Sequence, residues 1–292
     1  MFKFLMYKIG QFIVRRLSIK GAYQFATTIS DGQYFFSFRD RKAVFQNLEK
    51  ILPNAPDLPT KTREVFRNFG KYLVEFFRMA KELDHSFIRE KIKIENLRNM
   101  QKALDRGKGV VVVTAHLGNW ELGAVLLSLL GYPPVAVALS HKERPVNNLF
   151  NQQRSARGVA VIPAQFAVRR CIQILKDNGI VAVVGDRDFS VNHRGVVMDF
   201  LGQKCLIPKG PAIFSLKTGA AIVPVFLVRQ EDDTFALTIE EPIYPAVVKE
   251  SLTDGVISEM IQKYLTVIES KIRQYPTQWL MFRKYWIDEN ES

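Results

Sequence analysis

The chain has 292 residues, of which 47% are hydrophobic and 24% are charged, values ordinary for a globular protein that exclude wholesale disorder. The 41 Lys and Arg residues outnumber the 29 Asp and Glu residues, so the formal net charge is +12 and indicates an anionic partner: nucleic acid, an acidic membrane surface, or an acidic protein or substrate. Two cysteines, Cys171 and Cys205, form no CxxC motif, which fits a reducing compartment and excludes a disulfide scaffold.

The N-terminal segment, residues 1–21, predicts an amphipathic helix. Its apolar residues share one face of a helical wheel, its basic residues lie mainly elsewhere, and no acidic residue precedes Asp31. This pattern is typical of a helix that lies in an anionic membrane interface, and equally of a helix packed on the domain with a solvated basic face. Because basic residues interrupt the apolar run, the segment predicts neither a signal peptide nor a bilayer span, which needs ~20 apolar residues.

Two regions are predicted from the texture of the chain. Residues 1–105 are expected to be helical, basic and membrane-associating, with one helix over 66–83 preceded by a loop in which Thr60 is a candidate cap. Residues 106–292 are expected to form an α/β catalytic core, and the two regions are expected to form one structural unit.

From about residue 106, short β-branched runs alternate with helical segments. The predicted strands lie in GKGVVVVTAH, YPPVAVALS, GVAVIP, IVAVVGD, AIVPVFLV and TFALTIEEPI. The predicted helices lie in WELGAVLLSLLG, residues 144–157, AVRRCIQILKDNG, PKGPAIFSLKTG and SLTDGVISEMIQKYLTVIESKIRQY. This alternation predicts an α/β fold with a largely parallel central sheet flanked by helices. The uncharged run 122–140 is broken by a Gly-Tyr-Pro-Pro turn, which predicts two buried elements rather than a membrane span.

The stretch TAHLGNWELGA places His116 just past the carboxyl end of a buried strand, where open α/β sheets collect their ligands. Gly118 permits a sharp turn and the approach of a substrate, and Asn119 is a candidate cap for the next helix. Glu121 falls in the first turn of that helix, so we expect its carboxylate to accept from one nitrogen of His116 and to raise the basicity of the other. No serine or cysteine adjoins the pair, which predicts direct deprotonation of a substrate hydroxyl without a covalent enzyme intermediate.

Six sequence blocks, in order over most of the chain, resemble a known family. The residues HLGNWE match the HX4(D/E) motif of the glycerolipid and lysophospholipid acyltransferases, and they resemble its bacterial lipid A biosynthesis (lauroyl/myristoyl) branch. RSARGVAVIP, with Arg154 and Gly158, is similar to the second block, R-x-x-x-G before a strand. GDRDF resembles an Asp-x-Asp block that usually reads Asp-Gln-Asp, so Arg187 is a departure. FLG and PKGP, with substitutions, and the tail PTQWLMFRKYW resemble the remaining blocks.

The resemblance implies a glycerolipid acyltransferase-like fold and O-acyl transfer that needs no cofactor. An acyl thioester, commonly on acyl carrier protein, would be attacked by a hydroxyl of a membrane glycolipid, for which we predict a lipid A precursor. His116 is then the general base, Glu121 orients it, and Arg154 is a candidate ligand of the oxyanion or of a phosphate. The predicted substrate-binding residues are Gly118, Asn119, Arg154, Asp186 and Asp188. An acidic carrier protein, a phosphorylated glycolipid and an anionic membrane suit the charge of +12, and no nucleic acid partner is predicted.

Other interpretations stay open. Asp186 and Asp188 form a D-x-D pair, which in a metal-dependent glycosyltransferase holds a divalent ion, but we predict that they pair with arginines such as Arg154, Arg157 or Arg229. No metal is predicted, since none of the four histidines has HxxxH spacing. Acyl-CoA is an alternative donor, and mannosyl lipids, aminolipids and lysophospholipids are alternative acceptors. A non-catalytic membrane-binding protein would leave the histidine motif without a purpose. The expected location is the inner membrane, peripherally on its cytoplasmic face.

Overall fold

Helices dominate the N-terminal third of the chain in the computed structural model. The structure describes residues 2–139, 141, 143–187, 195–246 and 252–287. The first elements are α1 (Phe2–Val14), α2 (Ile19–Phe36), α3 (Phe38–Ile51), α4 (Leu58–Glu82), α5 (His85–Lys91), β1 (Ile92–Glu95) and α6 (Arg98–Leu104).

Strands and helices then alternate, as the sequence predicts. These elements are β2 (Val110–Thr114), α7 (Trp120–Leu129), β3 (Pro134–Ala138), α8 (Arg144–Ser155), β4 (Ala160–Pro163), α9 (Ala167–Lys176) and β5 (Ile180–Val184). They continue with β6 (Val196–Phe200), β7 (Gln203–Ile207), α10 (Gly210–Thr218), β8 (Ala221–Arg229), β9 (Phe235–Ile239) and α11 (Asp254–Gln274). Short 3-10 turns cover Ala164–Phe166 and Pro276–Gln278.

The main sheet has seven strands in the order β1-β9-β8-β2-β5-β3-β4. All neighbours pair in parallel except β8 and β9, which are antiparallel. The predicted class, α/β with a largely parallel sheet flanked by helices and with a helical N-terminal region, is therefore confirmed.

Both faces of β2 are buried, which explains its run of valines. Val110 and Val112 pack in one core cluster with residues of α4, α7 and α8, whereas Val111 and Val113 pack in a second cluster with residues of α9, α10 and α11. A parallel strand covered by helices on both sides has no polar face. The loop after β2 is consequently fixed by a rigid strand.

Three elements differ from the prediction. Helix α4 begins at Leu58, ahead of Thr60, because Pro59 in its first turn lacks only an N–H that the helix does not use. Strand β1 lies inside the region predicted as helical and pairs with β9 at the sheet edge. A separate hairpin of β6 and β7 was not predicted, although Leu201 and Gly202, both with positive φ, form the turn that such hairpins favour.

Within the described part of the chain, no helix has both the length and the hydropathy that a bilayer crossing requires.

Candidate active site

His116 and Asp186 meet because two neighbouring parallel strands end side by side. The register of β2 and β5 pairs Thr114 with Val184, and each strand is followed two residues later by one of the two side chains. His116 Nδ1 lies 2.8 Å from Asp186 Oδ1, and the backbone N–H of His116 donates to Asp186 Oδ2 at 3.0 Å. One carboxylate thus holds both the ring and the main chain of the histidine.

Asp186 is fully buried and surrounded by donors. Besides His116, Trp279 donates its indole N–H to Asp186 Oδ2 at 2.9 Å, and the Tyr285 hydroxyl donates to the Asp186 carbonyl. Burial acts to raise the pKa of Asp186, but the electrostatic interaction with His116 and the hydrogen bonds from His116 and Trp279 outweigh it and hold that pKa below its usual value. An ionised Asp186 accepts the Nδ1 proton, so the lone pair of the neutral imidazole lies on Nε2.

The C-terminal segment, residues 275–287, also holds the loop that carries His116. Leu280 donates its backbone N–H to the His116 carbonyl at 2.7 Å, and Gly118 donates to the Gln278 carbonyl at 3.0 Å. Gly118 has a φ of +61°, and a Cβ on it would collide with the Leu227 carbonyl of β8. The glycine is therefore required by close backbone packing; its predicted role in admitting a substrate stays a prediction.

Glu121 has a different partner from the one predicted. Its two carboxylate oxygens accept from Arg154, at 2.7 Å from Nε and 2.5 Å from Nη2, and both side chains are about nine-tenths buried. Between the described side chains, no hydrogen bond joins Glu121 to His116, so the prediction of that contact is wrong. The reason is geometric: in the first turn of α7 the Glu121 side chain points toward α8, where Arg154 lies.

The predicted pairing of Asp186 with arginines is also wrong. Arg154 pairs with Glu121, and Arg157 donates to the Met79 carbonyl at 3.3 Å. Arg229, at the end of β8, pairs with Glu75 of α4, with 2.5 Å between Arg229 Nη2 and Glu75 Oε1. Glu75 and Arg229 are both buried.

Asn119 is the cap of α7, as predicted. Its Oδ1 accepts from the Leu122 N–H at 3.0 Å, and its Nδ2 donates to Glu75 Oε2 at 2.7 Å. Its backbone N–H donates to the Leu227 carbonyl at 2.9 Å. Asn119 is fully buried, and its contact with substrate stays a prediction.

Two aromatic rings pack in series beside the histidine. Trp120 lies edge-on to the His116 ring with centroids 5.0 Å apart, and it stacks on Tyr72 of α4 at 4.7 Å. A cavity of about 340 Å³ lies between α2, α4, α5 and the start of β9. Its lining includes Tyr23, Glu75, Met79, Phe87, Leu122 and Phe235. Since Glu75 and Leu122 both contact Asn119, this cavity borders the start of α7.

Asp188, the second carboxylate of the D-x-D pair, lies outside the described residues. Both carboxylate oxygens of Asp186 accept hydrogen bonds, Oδ1 from His116 and Oδ2 from Trp279, and this arrangement orients the histidine. Over the described residues, no group of three or more His, Cys, Asp or Glu side chains has the spacing of a metal site.

Glu75 is the site residue that sequence reasoning missed. The stretch Val74-Glu75-Phe76-Phe77 places a lone glutamate on the apolar face of α4, and a carboxylate there needs a buried partner. That signal was available, but it does not identify Arg229, which is 154 positions away.

Comparison with known proteins gives consistent matches. A sequence profile of the family described as Bacterial lipid A biosynthesis acyltransferase matches residues 1–287. The chain is 28% identical to the phosphatidylinositol mannoside acyltransferase of Mycolicibacterium smegmatis, over 83% of this chain and 78% of that protein. It is 25% identical to the phosphatidylinositol mannoside acyltransferase of Mycobacterium tuberculosis (strain CDC 1551 / Oshkosh), over 98% and 89% respectively. It is 26% identical to the lipid A biosynthesis palmitoleoyltransferase of Escherichia coli (strain K12), over 82% and 76%.

Proposed function

The chain belongs to the bacterial lipid A biosynthesis acyltransferase family and is a lipid acyltransferase, and we propose that it moves a fatty acyl chain from a thioester to a hydroxyl of a glycolipid. The observation that carries the mechanism is the hydrogen bond between His116 Nδ1 and the buried Asp186 carboxylate. It leaves the basic lone pair on Nε2, the nitrogen that a general base needs.

The proposed reaction proceeds in two proton transfers. His116 Nε2 takes the proton of the acceptor hydroxyl while its oxygen attacks the thioester carbonyl. The tetrahedral intermediate then collapses with cleavage of the C–S bond, and the imidazolium returns the proton to the leaving thiolate. Between the two proton transfers, Asp186 stabilises the imidazolium by its charge and by a hydrogen bond.

The cysteines support a mechanism without a covalent enzyme intermediate. Burial raises the pKa of Cys171 to about 11 and that of Cys205 to about 12, so both thiols are protonated and are poor nucleophiles at neutral pH. Glu121 belongs to the proposed site through Arg154, which it fixes beside the start of α7. Contact of Arg154 with the oxyanion or a phosphate stays a proposal.

Two acceptors are proposed. The family description supports a lipid A precursor as the acceptor, and the identity of 28% to a phosphatidylinositol mannoside acyltransferase supports that lipid. For the donor we propose acyl carrier protein, because the net charge of +12 suits an acidic partner, with acyl-CoA as the alternative.

We propose the cavity bordering α7 as the place of an acyl chain. Its lining combines apolar side chains such as Met79 and Phe87 with charged ones such as Arg78 and Lys91. Its volume of about 340 Å³ and the apolar part of its lining suit an alkyl chain, and it adjoins the helix that follows His116. Replacing Phe87 by Ala enlarges the cavity and should shift the preferred chain to a greater length.

We also propose peripheral attachment to an anionic membrane through the N-terminal helices. On α1, Leu5, Met6, Ile9 and Phe12 are exposed, and Arg16 lies over the Phe12 ring at 3.6 Å. At the junction of α2 and α3, Phe36 and Phe38 are 85% and 69% exposed. Apolar side chains among arginines are typical of a surface that enters the headgroup region.

The test uses purified protein, both donors with chains of several lengths, and both acceptors in mixed micelles. Products are identified by mass spectrometry, and the His116→Ala variant serves as the blank. We expect one acceptor to receive a single ester-linked chain with the wild type only. Equal product with wild type and His116→Ala contradicts the mechanism, and transfer to neither glycolipid contradicts the acceptor proposal.

A further inference from the structure

A closed ring of hydrogen bonds surrounds the loop that carries His116, and most of its members lie outside the histidine motif. Glu75 Oε1 accepts from Arg229 Nε at 2.8 Å and Nη2 at 2.5 Å, and Glu75 Oε2 accepts from Asn119 Nδ2 at 2.7 Å. The backbone N–H of Arg229 donates to Gln278 Oε1 at 3.0 Å, and the Arg229 carbonyl accepts from Gln278 Nε2 at 2.8 Å. The Gln278 carbonyl accepts from Gly118. The ring therefore runs from α4 through β8 and the C-terminal segment back to the Gly118–Asn119 peptide.

The side chains of the ring are almost completely buried. Glu75, Arg229 and Asn119 are 7%, 6% and 1% exposed, and the Tyr23 hydroxyl adds a donor to Glu75 Oε1 at 2.9 Å. A buried ion pair generally stabilises a fold no better than well-packed apolar side chains, because both ions lose their hydration. What the pair does supply is orientation: two N–H groups of Arg229 converge on Glu75 Oε1, which leaves Glu75 Oε2 directed at Asn119. The burial of such a pair beneath the histidine loop points to a geometric role.

We propose that Glu75 and Arg229 are positioning residues that hold the His116 loop, through Asn119, in the geometry required for acyl transfer. This inference rests on the proposed function. Asn119 starts α7 three residues after His116, so a tilt of its side chain moves the loop relative to Asp186 on the neighbouring strand end. Displacement of a catalytic group by about 1 Å is enough to cost roughly 100-fold in rate.

The first test is a double-mutant cycle between Glu75 and Asn119. In Glu75→Gln the shape is kept, but the new amide N–H groups face the donors of Asn119 or Arg229. Asn119→Ser keeps a capping oxygen for α7 and loses the reach to Glu75. We expect each variant to lower kcat by about 10- to 100-fold with KM for the acyl donor within about twofold of wild type. The double variant should lose no more than the stronger single one, because both break the same link.

A second variant separates position from stability. Replacing Glu75 and Arg229 together by Met removes the ion pair without leaving a buried charge, so its thermal midpoint should exceed that of Glu75→Gln. Its kcat should stay low, because Asn119 still lacks its acceptor. The matched control is Glu240→Gln, which breaks the partly buried pair between Glu240 and Lys271; among the described residues, neither of these side chains bonds to a member of the ring. This variant should lower the thermal midpoint without changing kcat.

The outcomes are distinct. Non-additive kcat losses with a recovered midpoint and low kcat in the Met pair support the proposal. Any of three results overturns it: kcat losses that multiply in the double variant, a wild-type kcat in Glu75→Gln, or a restored kcat in the variant with Met at both positions. Absence of acyl transfer by the wild type itself is a failure of the proposed function instead, and it is seen before any variant is measured.

Discussion

Arg154 and Arg229 in the candidate active site are buried against carboxylates, whereas two arginines of the N-terminal region lie over exposed aromatic rings. Arg154 and Arg229 each meet a glutamate at 2.5 Å with both side chains at most 10% exposed. Arg16 and Arg41 lie 3.6 and 4.7 Å from the ring centres of Phe12 and Phe38, at the surface. The guanidinium group therefore has two roles. Paired with a carboxylate in a buried site, it fixes the geometry of its neighbours; exposed beside apolar rings, it suits an anionic, partly apolar partner.

Among substitutions in the buried candidate active site, we expect Asp186→Asn to cause the largest loss of activity. Two N–H donors, from Trp279 and the His116 backbone, require an acceptor at Oδ2, so the amide oxygen takes that place and the amide N–H₂ faces His116 Nδ1. The ring must then accept at Nδ1 and carry its proton on Nε2, which removes the base. We expect kcat to fall by roughly 10²- to 10⁴-fold with an unchanged circular dichroism spectrum. A kcat within fivefold of wild type would show that Asp186 does not set the tautomer.

Breaking one buried pair should cost stability rather than chemistry alone. Glu121→Gln leaves Arg154 charged and without its ionic partner, and we expect the free energy of unfolding in urea to fall by about 3–5 kcal/mol. Lys204→Ala removes the exposed pair with Asp199 and should cost at most about 1 kcal/mol. Similar losses for the two variants would mean that the Glu121–Arg154 pair is as weakly coupled to folding as a surface pair.

Substitutions on the exposed surface of the N-terminal helices should change membrane binding and leave stability almost unchanged. Replacing Phe36 and Phe38 by Ser removes apolar area that touches little of the protein, so the thermal midpoint should hardly change. Binding to vesicles with anionic lipid should weaken by about tenfold or more, at ~1.5–3 kcal/mol for each fully buried phenyl ring. Phe166→Ser, at a side chain 65% exposed outside the N-terminal helices, is the control and should bind vesicles like wild type. Equal loss in the control would refute the assignment of the surface.

The smallest expected effect is a dependence of stability on pH. Asp186 has a lowered pKa in the folded protein, so it stabilises the fold at pH values above the ordinary aspartate pKa of about 3.9, and that contribution is lost as the pH falls through the lower folded value. Urea unfolding of wild type and Asp186→Asn between pH 7 and pH 3 measures it. The gap between their unfolding free energies should narrow below about pH 4; a constant gap would exclude an ionised, stabilising Asp186.

Most elements of the core could be predicted because their signals are local. The valines of β2, the turn at Gly131 and the Asn119 cap each act within a few residues, and the structure contains them where the pattern predicts. Strand β1 could not be predicted in the same way. Its four residues become a strand because β9 offers a free edge for pairing, which is a property of the assembled sheet.

The sequence by itself determined that a histidine stands at the end of a buried strand, with an asparagine cap and a glutamate in the next helix turn. Only the tertiary structure decided which carboxylate the histidine contacts. Glu121 is five positions from His116, but the direction of α7 turns it to Arg154. Asp186 is 70 positions away, and the register between β2 and β5 brings it to 2.8 Å. Spacing along the chain limits which groups can meet, whereas strand register and helix direction select the pair that does.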